Sequence, residues 1–238
     1  MKWEFTPDEF MHIWAETGQD RYPFPLRLIA SVRWEDEYDR IARELSRRLP
    51  LAGDPDLSAV LRVAANPETS LALTGIRRRP MRAYGAIDTN VGVALVQRPG
   101  PTTEFGGNVV IEVGSPAIVP KVFAAVAGNV APGRQPAVVE DYDRMREQAE
   151  SWPGTNDTAT DRIRNLFEAP QSGSGLVEVL RGRHSDRPFP PIYFRWFDID
   201  GDGRYAYRRQ YNDFRVAPCS QEMLQQEIAR LAQPVRAD

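Results

Sequence analysis

Apolar positions recur at helical spacing in three stretches near the start of this chain, and each stretch carries signals for where a helix begins and ends. Thr6 and Glu9 stand at the two positions of a capping box, Pro7 follows the cap, and Phe5 and Phe10 flank it as a hydrophobic staple. The pattern predicts a helix over 7–17 that buries Phe10, Ile13 and Trp14 and stops at Gly18. A second helix is expected over 35–49, with Tyr38, Ile41, Ala42 and Leu45 on one face and Pro50 behind it. Asp54 and Pro55 open a third, which turns Leu57, Val60, Leu61 and Ala64 inward and closes at Asn66 and Pro67.

The spacing then becomes that of strands, at 70–76, 81–88, 91–97 and 108–113, joined by Pro, Gly and Asn turns. A helix over 120–127 ends this half, with Val119, Val122, Phe123 and Val126 as its apolar stripe. The order then repeats. Helical stretches at 138–150 and 158–167 lead to strands at 176–180, 192–198, 204–211 and 214–216, and a last helix over 221–231 carries Leu224, Ile228 and Leu231. Residues 82–99 lie without gaps on 194–211, Tyr84 over Trp196 and Asp88 over Asp200, and each half has an Arg-rich turn after its first strand, at 77–79 and 181–187. Strands joined by short turns pair antiparallel. The expected fold is α+β: a central, mostly antiparallel sheet built from two quasi-twofold related halves, about 1–130 and 131–238 of a single domain, flanked by helical bundles.

Composition limits the chemistry. With 238 residues, 42% of them hydrophobic, the chain can build its core without staples, and its sole cysteine, Cys219, excludes an internal disulfide. Residues 1–16 lack a signal-peptide apolar run and no stretch approaches the roughly 18 apolar residues of a membrane span, so a cytoplasmic protein that does not insert into membranes is expected. A net charge of −3 gives no general attraction to nucleic acid.

The sharpest local motif is the acidic turn over 198–203. Asp198, Asp200, Asp202 and Gly203 fill four positions of a calcium loop, but Arg209 stands where a bidentate acid must close the shell. The residues therefore read as a hairpin turn with no metal. The two histidines, His12 and His184, have no ligand partners at metal spacing, and no phosphate loop, dinucleotide fingerprint or nucleophile elbow is present. No catalytic residue and no cofactor are expected. A ligand- or calcium-responsive regulator using the acidic turn is the rival function, and a carboxylate-pair enzyme stays open behind it.

Several segments resemble the EspG family, the specificity chaperones of type VII (ESX) secretion. They are the opening Thr6-Pro7-Asp8-Glu9-Phe10, Asp54-Pro55-Asp56-Leu57 followed by Asn66-Pro67-Glu68, Phe194-Arg195-Trp196-Phe197-Asp198 with Gly203-Arg204-Tyr205, and Val216-Ala217-Pro218. The resemblance implies a cofactor-free cytosolic protein that binds the helical tip of a PPE protein within a PE/PPE heterodimer and keeps it soluble. It also implies a contribution from the C-terminal helical bundle, for which Gln221 and Gln225 are the candidates.

Register proposes the rest of the contact. A two-residue loop in the 198–205 hairpin makes paired residue numbers sum to an odd value, which puts Phe194, Trp196, Tyr205 and Tyr207 on one face. Tyr193, Arg195, Phe197, Arg204, Ala206 and Arg208 then share the other, a mix of arginine and aromatics suited to an interface. The candidate partner-binding residues are Tyr193, Arg195, Phe197, Arg204, Arg208, Gln221 and Gln225.

Overall fold

The computed structural model describes residues 1–149, 158–182 and 189–233. In chain order the first half runs β1 (Lys2–Phe5), α1 (Pro7–Trp14) with a 3-10 turn (Ala15–Thr17), α2 (Glu35–Arg48), α3 (Pro55–Ala65), β2 (Thr69–Arg77), β3 (Arg79–Asp88), β4 (Val91–Pro99), β5 (Gly106–Gly114) and α4 (Ile118–Ala127). The second runs β6 (Val138–Asp141), α5 (Tyr142–Ala149), α6 (Ala159–Glu168), β7 (Gln171–Arg181), β8 (Ile192–Ile199), β9 (Gly203–Gln210), β10 (Asp213–Pro218) and α7 (Gln221–Leu231).

Among the described residues ten strands form one antiparallel sheet in the order β1-β5-β4-β3-β2-β7-β8-β9-β10-β6. The order is palindromic by role. Each half contributes a four-strand meander closed at its outer edge by the short strand that began it, and the halves meet where β2 pairs with β7, Leu73 opposite Val177. This is the quasi-twofold α+β arrangement that the repeated order predicts.

Local start signals operate as expected. The Glu9 amide donates to Thr6 Oγ1 at 3.3 Å and the Thr6 amide to a Glu9 carboxylate oxygen at 2.8 Å, closing the capping box, while Asp54 accepts from the Asp56 and Leu57 amides. Gly18 stops the first helical stretch at φ 69°, a left-handed conformation that glycine adopts without strain. Thr6→Ala should therefore lower stability by about 1 kcal/mol. Chemical denaturation measures it, and an unchanged midpoint would mean that this cap contributes nothing to the fold.

Side chains alternate across the sheet, giving it two faces. On one, Leu71, Leu73, Ala83, Val177, Val179, Phe194 and Trp196 join α4 and α7 in a single core. On the other, two separate groups of helices pack. Helices α1 and α3 lie over β3, β4 and β5 through Phe10, Trp14, Leu61, Tyr84 and Leu95, whereas α6 lies over the second-half strands through Ile163, Leu166, Phe197 and Tyr205. We call these the α4/α7 face and the bundle face.

Three expectations need correction. Residues 138–141 form an edge strand against β10 and only then does the helix begin at Tyr142; its expected end at Glu150 lies outside the described residues. Helix α2 buries Leu45 alone, and Tyr38 stays 48% exposed. The third concerns the acidic hairpin. The expected register assumes a two-residue loop, which the first half does have, Asp88 pairing with Val91 across Thr89 and Asn90. In the second half Ile199 pairs with Gly203 across three, Asp200, Gly201 and Asp202, with Gly201 at φ 71° and the Asp202 amide donating to the Ile199 carbonyl. A left-handed glycine makes a three-residue loop available. The added residue slips β9 by one against β8, and paired numbers sum to an even value.

Candidate partner-binding face

The slip redistributes the expected contact residues. Arg195 pairs with Tyr207 and Phe197 with Tyr205, so Tyr193, Arg195, Phe197, Tyr205, Tyr207 and Arg209 share the bundle face, while Phe194, Trp196, Asp198, Arg204, Ala206 and Arg208 share the α4/α7 face. Phe197 and Arg204 are interior residues, 2% and 0% exposed, and neither is available to a partner. Arg208 contacts Glu227 of α7 at 3.4 Å, Gln221 Nε2 approaches the Ala124 carbonyl, and Gln225 stands on α7 as well, which places these three on the layer opposite Tyr193 and Arg195. Two of the seven candidates therefore lie together on the open sheet. Tyr193 is 42% exposed and the Arg195 guanidinium sits 5.0 Å from its ring centroid.

Between the two groups of helices on the bundle face runs a strip that belongs to neither core. Its side chains come from alternate positions of β2 (Ala72, Thr74, Ile76), β7 (Leu176, Glu178, Leu180) and β8 (Tyr193, Arg195), as the registers require. All but Ile76 and Tyr193 are partly covered, and Ile76 is 55% exposed. The central strands of a ten-stranded sheet thus show water a mixed apolar, aromatic and charged surface, where helices cover the same face on either side.

Sequence reading missed most of this strip. The β2–β7 junction joins segments about a hundred residues apart, and no local pattern announces it. One signal was available: in Tyr22-Pro23-Phe24-Pro25 the prolines keep two aromatics out of helix and strand alike, leaving them without a regular element to bury them. Tyr22 is 41% and Phe24 56% exposed, and both lie at the border of the strip.

The acidic turn is committed to internal contacts. Arg204 holds Asp198 through Nε at 2.7 Å and Nη2 at 3.0 Å, and Tyr205 Oη donates to Asp202 at 2.5 Å. That bond holds the Asp202 carboxyl below its ordinary range, and burial, helped by Asp202, pushes the Tyr205 hydroxyl up to about 12. Only Asp200 of the three acids is exposed. Among the described residues no group of three or more His, Cys, Asp or Glu could hold a metal ion. His184 and most of the second Arg-rich turn lie outside them. Cys219 is 3% exposed and burial pushes its thiol up to about 11, far from the range of a reactive thiolate.

A family model described as the EspG family matches residues 6–230. The chain belongs to the EspG family. A solved structure of the Mycobacterium tuberculosis type VII secretion system chaperone EspG5 in complex with a PE25-PPE41 dimer has the same fold, with a TM-score of 0.68 at 14% identity over 99% of this chain and 98% of that one. No curated protein matches the sequence. Among the described residues no helix is long and apolar enough to cross a membrane.

Proposed function

We propose that this EspG-family protein holds the helical tip of a PPE protein within a PE/PPE heterodimer in the cytosol and keeps that tip soluble for type VII secretion, by binding alone and without a cofactor. The observation that carries this reading is the strip of β2, β7 and β8 that belongs to neither helix-packed core among the described residues. A client helix laid there would cover Ile76, Leu176, Leu180 and Tyr193, much as the protein's own helices cover the sheet on either side. Arg195, stacked by Tyr193, adds a directional charge to an otherwise apolar contact, the combination found at interface hot spots. Family membership and the EspG5 relative bound to PE25-PPE41 support the choice of partner.

The test co-expresses the protein with PE/PPE pairs and measures the soluble complex. Arg195→Glu should weaken binding by about thirtyfold, on the order of 2 kcal/mol, because it inverts a charge where water is excluded. Arg208→Glu, on the opposite face, should leave binding unchanged. If the unaltered protein retains no PE/PPE pair, the assigned function fails. If Arg208→Glu is the damaging change, the docking face is the other one.

A further inference from the structure

At one end of the strip the loop residues 19–24 wall a cavity of about 450 Å³ together with the end of α1, the end of α3 and residues of β2 and β7. We propose that this cavity receives a positively charged side chain, arginine or lysine, from the client's tip; the inference rests on the client reading above for its ligand's source.

The lining carries the argument. Four aromatic residues line the space, Trp14, Tyr22, Phe24 and Tyr84. Two are fixed by hydrogen bonds at their polar ends, Trp14 Nε1 donating to the Arg21 carbonyl at 3.0 Å and Tyr84 Oη to the Ala64 carbonyl at 2.9 Å. The other two, Tyr22 and Phe24, stand at its border, open to solvent. Two carboxylates, Asp20 and Glu178, line the cavity against a single cation, Arg21. Among the described residues neither acid makes an ion pair, and the one hydrogen bond to Glu178 is a 3.3 Å contact from Tyr193 Oη.

Each class of occupant meets a different balance. An apolar side chain would displace water from two carboxylates without replacing the lost hydrogen bonds, which is unfavourable. An acidic one would add repulsion. A guanidinium or ammonium group instead pairs with Glu178 or Asp20 while its stem and charge lie against aromatic faces, and both interactions strengthen as the client's body excludes water. Glu178 belongs to the strip as well as to the cavity, so one client can occupy both at once.

The experiment uses the full ¹⁵N-labelled chain and three small probes: N-acetyl-arginine amide, N-acetyl-lysine amide and, as the uncharged counterpart, N-acetyl-norleucine amide. The charged probes should shift the Trp14 indole and the Ser70 and Ala72 amides, norleucine should not, and Glu178→Gln should weaken the arginine probe about tenfold. Equal shifts from norleucine, no binding by either charged probe, or undiminished binding to Glu178→Gln would each overturn the cavity's assignment. A second arm measures the PE/PPE complex: Glu178→Gln should weaken it about tenfold and Glu178→Lys should abolish it, both with unchanged Tm, and a complex of full strength with both variants would overturn the role in client recognition. If the unaltered protein binds no PE/PPE pair, the proposed function falls, while the probe titration still decides whether the cavity takes a cation.

Discussion

Arg204→Ala should lower the stability of the protein by about 3–5 kcal/mol, because the substitution leaves a carboxylate buried without its counter-ion. The two side chains are 0% and 2% exposed, so water cannot take the missing partner's place. Arg204 does more than neutralise Asp198. Its Nη2 also donates to the Ala127 carbonyl at 2.7 Å and its Nη1 to the Gly128 carbonyl at 3.1 Å, which are groups that the end of α4 leaves without helical donors. One guanidinium therefore ties the second-half hairpin to the last turn of the first-half helix. Arg204→Lys should recover only part of the loss, since a point charge cannot reproduce a fork that reaches two oxygens of Asp198 and two carbonyls. The double replacement Arg204→Met with Asp198→Leu should be milder than Arg204→Ala, because it removes both charges together. Urea unfolding of the three variants checks this ordering, and an Arg204→Ala protein with an unchanged midpoint would contradict the view that the pair is needed once buried.

What could be read from the sequence follows from how far apart the interacting groups are. The capping box at Thr6 and Glu9, the Asp54 cap and the limits of α7 depend on neighbours within one helical turn, and all three are where local reasoning puts them. Edge strands β1 and β6 have four residues each, too few for alternation to show, and each is held by a strand distant in sequence or by a partner with its own competing pattern. In β6 the Val138-Val139 pair precedes helix-forming residues, so a helical reading absorbed it. The hairpin failed for a different reason. Asp-Gly-Asp-Gly permits loops of two or three residues, and composition does not choose between them. The structure supplies a reason for the choice: the three-residue loop lets Asp198 and Arg204 meet directly across the strands and inside the α4/α7 face. A single register step therefore moved Arg204 from an expected interface to the centre of the molecule, whereas Phe197 kept its expected face beside Arg195 and is buried there because α6 packs over it.

Phe197→Ala is the second change with a large expected effect, and it separates stability from binding along a single strand. Phe197 is 2% exposed and its ring lies 4.8 Å from that of Phe167, 5.7 Å from Tyr205 and 5.9 Å from Tyr207, centroid to centroid. Removing it deletes one of the two aromatic contacts by which Phe167 of α6 meets the hairpin, the other being with Tyr207 at 5.1 Å, and opens a void that rigid neighbours fill poorly, a loss of about 3–5 kcal/mol. Arg195 is two residues earlier on the same face of β8, yet it belongs to the open strip, where its guanidinium lies over Tyr193 and makes no salt bridge among the described residues. Arg195→Glu should change stability by no more than about 0.5 kcal/mol, as surface substitutions do, while weakening the client complex as above. The boundary between core and open strip thus falls between residues 195 and 197. Thermal unfolding beside complex recovery resolves the two effects: a Phe197→Ala protein with a native Tm would remove α6 from the core, and an Arg195→Glu protein that unfolds early would place Arg195 inside the fold and leave the strip without its charged contact.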